Sequence, residues 1–395
     1  MPPLFKDPRY RAYWFSLFLS QLGGWVQATA LGWLVLELTG SAERLGLLLA
    51  LMFLPSLVLT LPGGALADRY PRAALLFVFE GLLLLFSALL AAGLFLGMVG
   101  FSHLVVYALL VGAVSALEVP TRQSLTAELA GRRRVGEALA LNALAFNVAR
   151  MAAPVLSGYL IAALSTAAAF LLNALSYLPL VAFLARLPKN PPSKKRGPIL
   201  KELLAGIDYA RRVLLLRELL LFVFLVATFG INFQTLIPAY ARLVLGLGPK
   251  GYGFLMGSLG AGALLGALVL LRSPLARPRR SLFGALLLGA SLSLLALVRD
   301  EILAALFLAA AGAAMVVVLT GANTTIQTLV SEEMRGRVVA LYSLVLLGSG
   351  PPGMYLTGLF FDLFGGLAPL LLGALVLLLA LFFLTRPWPR RVVPV

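Results

Sequence analysis

Apolar residues fill this chain in blocks about a membrane's thickness long, and short gaps rich in Pro, Gly and charge divide the blocks. A helix that crosses a bilayer needs roughly 20 apolar residues. By that measure the pattern predicts twelve spans: 11–37, 44–67, 73–98, 101–125, 137–162, 166–187, 217–244, 250–272, 281–298, 302–329, 337–363 and 366–385. Leu, Ala, Gly and Phe dominate them. Strands of a membrane barrel would instead be short and alternate apolar with polar residues. The expected fold class is therefore an all-α membrane protein. Small residues such as Gly257, Gly260, Gly262 and Gly266 let neighbouring helices approach closely.

The pattern also divides the chain. Between the sixth and seventh spans runs a Pro/Lys/Arg stretch, PKNPPSKKRGP, that opens at Pro188. Ile199, Leu200, Leu203, Leu204 and Ile207 follow at helical spacing, with Lys201, Glu202, Asp208 and Arg211 opposite. That spacing predicts an amphipathic helix lying on the cytoplasmic membrane surface; the plainer reading is a structural strap that joins two bundles. The domains are then 1–187, a linker at 188–216, and 217–395. The halves resemble each other. Gly23, Gln27, Trp33 and Gly46 align with Gly230, Gln234, Tyr240 and Gly253. Gly136, Ala140, Leu141, Ser157 and Gly158 align with Gly336, Ala340, Leu341, Thr357 and Gly358. Two similar apolar halves in the same order imply pseudo-symmetric six-helix bundles that rock about a central site, as in transporters.

Composition agrees: 61% of residues are hydrophobic, 12% are charged, and the mean hydropathy is +0.98. A net charge of +16 could suggest a nucleic-acid partner, but the basic residues lie in gaps on alternate sides of the spans. With the N-terminus inside, 27 of the 32 Lys and Arg fall on the inner side. This places both termini in the cytoplasm and predicts an integral membrane protein. The first apolar run is longer than the apolar core of a signal peptide. There is no Cys and one His, His103, so disulfides and thiolate or paired-histidine metal sites are not expected. No GxxxxGK[ST] phosphate loop is present, and neither is an HExxH, a paired-aspartate or a Ser/His arrangement. No cofactor, no ATP drive and no enzyme activity are expected, and a membrane-embedded enzyme stays a remote alternative.

After the second span the chain reads GGALADRYPR, with Gly64, Leu66, Asp68, Arg69 and Arg72 in a G-x-L-x-D-R-x-x-R spacing. This resembles the signature loop between helices 2 and 3 of the major facilitator superfamily, except that Pro71 stands where the family usually has glycine. LSQLGGWVQATALGWLVLELTGS, VPTRQSLTAEL, NALAFNVARMAAPVLSGYLI and GANTTIQTLVSEEMRGRVVALYSLV are similar to one branch of it, the enterobactin exporter and macrolide-efflux-like proteins. The resemblance covers nearly the whole chain. It implies a bacterial inner membrane as the location, and alternating access, with spans 1, 4, 7 and 10 lining a cavity and 2, 5, 8 and 11 flanking it. It implies gating by Gly64, Asp68, Arg69 and Arg72, joined by Glu118 and Arg122 one turn apart in span 4. Glu333, Arg335, Gly336 and Arg337 at the start of span 11 are the counterparts.

Polar residues inside the spans are the candidate substrate contacts: Gln27, Asn147, Arg150, Asn232, Gln234, Asn323 and Gln327. Amides and charges in hydrocarbon must face protein or water, so each serves either substrate or interhelical bonding. Arg150 is the sharpest, since an arginine at mid-membrane costs at least about 2.5 kcal/mol; it either attracts an acidic part of a substrate or braces its helix before Pro154. Glu80 in span 3 is a candidate proton carrier or a structural pair. The function expected is secondary active, proton-coupled export of a small siderophore- or drug-like molecule by a monomer. Uptake, and carriage of a lysophospholipid or metabolite, stand as alternatives. A channel would show a filter loop or a continuous polar stripe, and neither is present.

Overall fold

A computed structural model of the protein describes residues 3–188, 208–271 and 278–386. Among the described residues there is no strand, and one helix lies over each predicted span. We label them α1 (Pro8–Thr39), α2 (Ala42–Ala67), α3 (Arg72–Phe95), α4 (Phe101–Ala130), α5 (Val135–Ala163) and α6 (Thr166–Ala185). The second set is α7 (Leu214–Val244), α8 (Pro249–Leu271), α9 (Pro278–Leu295), α10 (Glu301–Leu329), α11 (Glu332–Phe364) and α12 (Ala368–Leu384). Nine helical runs among the described residues are long and apolar enough to cross a membrane, one of them, Glu332–Leu384, holding both α11 and α12. The two helices outside that set are diluted: α1 carries Arg9, Arg11, Gln21 and Gln27, and α9 opens on Arg279 and Arg280. The protein is an integral membrane protein. Of the predicted linker and its amphipathic helix, residues 189–207 lie outside the described residues; 208–212 is helical and holds an Asp208–Arg212 ion pair of 2.6 Å.

By their contacts the residues form two compact units. Unit 1 comprises Met1–Thr39 and Leu51–Gly197, and unit 2 comprises Gly40–Ala50 and Pro198–Val395. In unit 1, α1 packs on α5 and α6, and α3 packs on α4 and α6. At one end of this unit Leu4, Tyr10, Tyr13, Leu17, Leu76 and Leu180 form a buried cluster, and the Leu4 amide donates to Glu137 Oε1 at 3.0 Å. Unit 2 repeats the scheme: α7 packs on α11 and α12, and α9 packs on α10 and α12.

The repeat seen in the sequence extends to the packing. A Cβ on Gly112 of α4 would lie 2.0 Å from the Met52 carbonyl oxygen of α2. A Cβ on Gly312 of α10 would lie 2.1 Å from the Leu259 oxygen of α8. In each unit a glycine thus lets the fourth helix touch the backbone of the second, the close approach that stabilises helix pairs in lipid.

The first turns of α2 are grouped with unit 2 rather than with the rest of their helix. Within that unit Asp362 of α11 accepts the Ala42 amide at 2.8 Å and the Ser41 hydroxyl. A carboxylate there satisfies free amides and complements the helix dipole. Tyr355 donates to Glu43 Oε1 at 3.0 Å, and Gly358 lies against the Ala42 carbonyl.

Candidate functional site

Helix α5 of unit 1 has two contrasting faces. Ala138, Ala145, Ala149, Ala153 and Ser157 recur at helical spacing and are buried; α5 packs on α1, where Ser157 donates to the Val26 carbonyl at 2.9 Å. Their small size allows the contact. Phe146 and Asn147 are exposed and Arg150 is partly so. The Phe146 ring meets Trp25 of α1 edge to face, centroids 5.6 Å apart, and the Arg150 guanidinium lies 6.0 Å from the Phe146 centroid. Among the described residues no carboxylate pairs with Arg150. An aromatic face is worth only about 0.5–1 kcal/mol to a cation at an exposed site. The charge is left for water or for an incoming anion. Asn147 donates to its own helix at Ala143 O, 2.8 Å away, which leaves its carbonyl oxygen outward. Trp25 and Phe146 carried no signal in the sequence, because aromatic residues are ordinary in apolar spans.

Gln27 has a different setting. It is buried, and its Oε1 accepts from Ser87 of α3 at 2.8 Å and from Asn173 of α6 at 2.7 Å. Its amide oxygen ties three helices together. The same buried side of α1 carries Ser20 and Tyr13, each seven residues apart, and a seven-residue step brings a helix back to nearly the same face. Ser20 donates to Glu80 Oε2 at 3.3 Å, and Tyr13 bonds Thr126 of α4 at 2.7 Å. Asn142 of α5 donates to the same Thr126 hydroxyl at 3.2 Å. A polar seam therefore runs down the core of unit 1.

The loop between α2 and α3 holds the predicted gate residues. Arg72 donates to the Ala67 carbonyl at 3.2 Å and pairs with Glu128, at the end of α4, at 2.8 Å. Glu128 was not among the predicted gate residues; it lies 56 positions away in sequence. Gly64 and Asp68 are half-buried and Arg69 is exposed. Glu118 and Arg122 do pair with each other, Oε1 to Nε 2.7 Å, without an N–H aimed at the oxygen. Their charges act on Glu80, so they sit with the polar seam.

In unit 2, α7 is interrupted at Ile231 and Asn232. Asn232 is buried and donates to the carbonyls of Ala227 and Thr228 at 3.2 and 2.7 Å. Its amide nitrogen thus caps the broken turn, and Gly353 of α11 packs against it. Gln234 stands half-buried just beyond. On α10, Gln327 donates to Asn323 Oδ1 at 3.1 Å, a half-buried amide pair one turn apart. At the start of α11, Glu333, Arg335 and Gly336 are exposed, Arg337 touches Met334 Sδ at 3.3 Å, and Arg335 lies 3.9 Å from Glu332.

Comparison with known proteins places this geometry in context. The profile of the transmembrane secretion effector family, a branch of the major facilitator superfamily, matches residues 2–390. The chain is 28% identical over 266 residues to a staphyloferrin A transporter of Staphylococcus aureus, an alignment covering 65% of this chain and 66% of that one. It is 26% identical over 374 residues to the multidrug efflux pump Tap of Mycobacterium tuberculosis, covering 87% of this chain and 85% of the pump. Among solved structures it resembles a nucleoside transporter, with a TM-score of 0.74 at 13% identity over 96% of this chain and 99% of that one. It also resembles a D-xylose–proton symporter, with a TM-score of 0.68 at 15% identity over 96% and 98%.

Proposed function

The chain belongs to the transmembrane secretion effector family of major facilitator transporters, and on that premise we propose that it exports a small acid-bearing organic molecule by alternating access, driven by protons. It acts as a monomer in the inner membrane of a bacterium, with both termini cytoplasmic. The distribution of Lys and Arg supports that orientation. Relatives named for a siderophore and for drug efflux support a small organic cargo.

The observation that carries the reading is Arg150. A guanidinium within a membrane span, facing the Phe146 ring that in turn meets Trp25, and without a carboxylate partner, suits a conjugated or aromatic anion. The charge binds the acid group and the rings cover the apolar part. Asn147, exposed one turn before Arg150, is the polar side chain offered to the rest of the cargo within unit 1; Gln234, Asn323 and Gln327 are kept as candidate contacts by sequence alone. Gly64, Asp68, Arg69 and Arg72, with Glu128, form one gate cluster. Glu333, Arg335, Gly336 and Arg337 form its counterpart.

Transport by the purified protein in liposomes tests this. The panel should hold acid-bearing siderophores, the anionic dye sulforhodamine B, macrolides and cationic dyes. A charge-assisted contact is worth about 1.5–3 kcal/mol, so Arg150→Gln should raise the KM for acidic cargo by about 10- to 100-fold. Arg150→Lys should recover part of it, and cationic dyes should be unaffected. Equal loss for every cargo would show that Arg150 only braces α5.

A further inference from the structure

A proton-driven transporter must hold its proton inside the membrane, and the seam of unit 1 contains a place for it. Glu80 on α3 is 2% exposed and Glu118 on α4 is 6% exposed. Arg122, one turn beyond Glu118, is the basic side chain whose charge reaches both. Its Nε lies 2.7 Å from Glu118 Oε1, yet the N–H does not point at that oxygen. Glu80 has one donor, the Ser20 hydroxyl, at a long 3.3 Å. The other titratable groups facing the cluster are Tyr13 of α1, near Arg122 and Glu118, and Tyr177 of α6, near Glu80. None of these adds a positive charge.

The charges do not balance if both acids are ionised. Two carboxylates and one guanidinium would leave a net negative charge buried among apolar helices, where an uncompensated charge is strongly disfavoured. One proton on either carboxylate makes the cluster neutral. The guanidinium then pairs with whichever acid is ionised. The seam offers a route: Ser20 and Gln27 share a face of α1, and Glu80 and Ser87 share one of α3.

We propose that Glu80 and Glu118 share one proton around Arg122, and that this shared proton is the one exchanged during transport. The proton is taken from water onto a carboxylate oxygen and returned to water; no bond other than that O–H forms or breaks. The second half of the proposal rests on the proton-driven reading of function.

Infrared difference titration of the purified protein tests the shared proton without any cargo, through the carbonyl stretch of a protonated carboxylic acid. Wild type should show a single buried protonated acid that is lost on raising the pH. Glu80→Gln should remove it, and so should Glu118→Gln, because the remaining carboxylate pairs with Arg122 and stays ionised. Arg122→Gln should increase it, since both acids then become neutral. Helix content and gel-filtration behaviour check that each variant is folded. If Glu118→Gln leaves the signal unchanged, the proton belongs to Glu80 alone and the sharing is refuted. The same variants in liposomes under a pH gradient, with sulforhodamine B as probe, test coupling. Both Gln variants should lose gradient-driven movement of the dye while exchange without a gradient persists. Retained gradient dependence would overturn the cluster as the coupling site and leave proton-driven transport standing. A wild type that moves the dye equally with and without the gradient would instead defeat the proton-driven reading.

Discussion

Asn173 and Asn147 are the same residue type on adjacent helices of unit 1, and their surroundings set opposite expectations. Asn173 is buried and donates to Gln27, with Ser87 and Tyr177 beside it. Asn147 is exposed and bonds only its own helix. Interhelical polar contacts in membranes average about 0.6 kcal/mol and reach about 1.7. Asn173→Leu also strands the Gln27 oxygen, so its loss should fall at the upper end of that range. Asn147→Ala should cost close to nothing in stability while it weakens transport. Thermal unfolding in detergent measures both, and a larger loss for Asn147→Ala would reverse the assignment of roles. At this scale the sequence marked which residues were unusual but not what they touch. Gln27, Arg150 and Glu80 stood out because polar groups are rare in apolar runs. Their settings differ because burial depends on which face of the helix meets a neighbour, and the side chains that bond Gln27 and Glu80 lie 60 to 146 positions away.

The helices themselves were legible, because bilayer thickness fixes the length of an apolar run. Their interruptions and crossings were less so. Asn232 read as one more polar residue in a span, yet it caps a break in α7. The grip of Asp362 on the first turn of α2 joins residues 320 positions apart, and an acid near a helix end gives no hint of such a partner. The glycines separate cleanly by context. A Cβ on Gly112 or Gly312 would stand 2.0 or 2.1 Å from a backbone oxygen, whereas Gly136 and Gly336 have nothing within 4 Å. Leucine at 112 or 312 should therefore push two helices apart and abolish a monodisperse, folded product. Alanine at 136 or 336 should be tolerated and, through better helix propensity, add up to about 1 kcal/mol. Gel filtration and melting temperature distinguish these, and a stable Gly112→Leu protein would show that α2 and α4 do not cross as described.

For the whole molecule, the internal repeat announced two halves, and the described helices pack by the same scheme in each unit. The division within α2 was invisible in the sequence, since an apolar run does not show which unit each turn joins. Family membership follows from a match that runs over residues 2–390, but that match does not encode the cargo. The central claim is that this fold couples a proton gradient to the movement of an acid-bearing molecule. The most direct measurement is cargo accumulation in liposomes containing only the purified protein, with and without an imposed pH gradient. The account predicts that at least one acid-bearing siderophore or anionic dye accumulates against its own gradient, and that a protonophore abolishes the accumulation. Cargo that merely equilibrates at the same rate in both conditions, or accumulation confined to lysolipids, would contradict it.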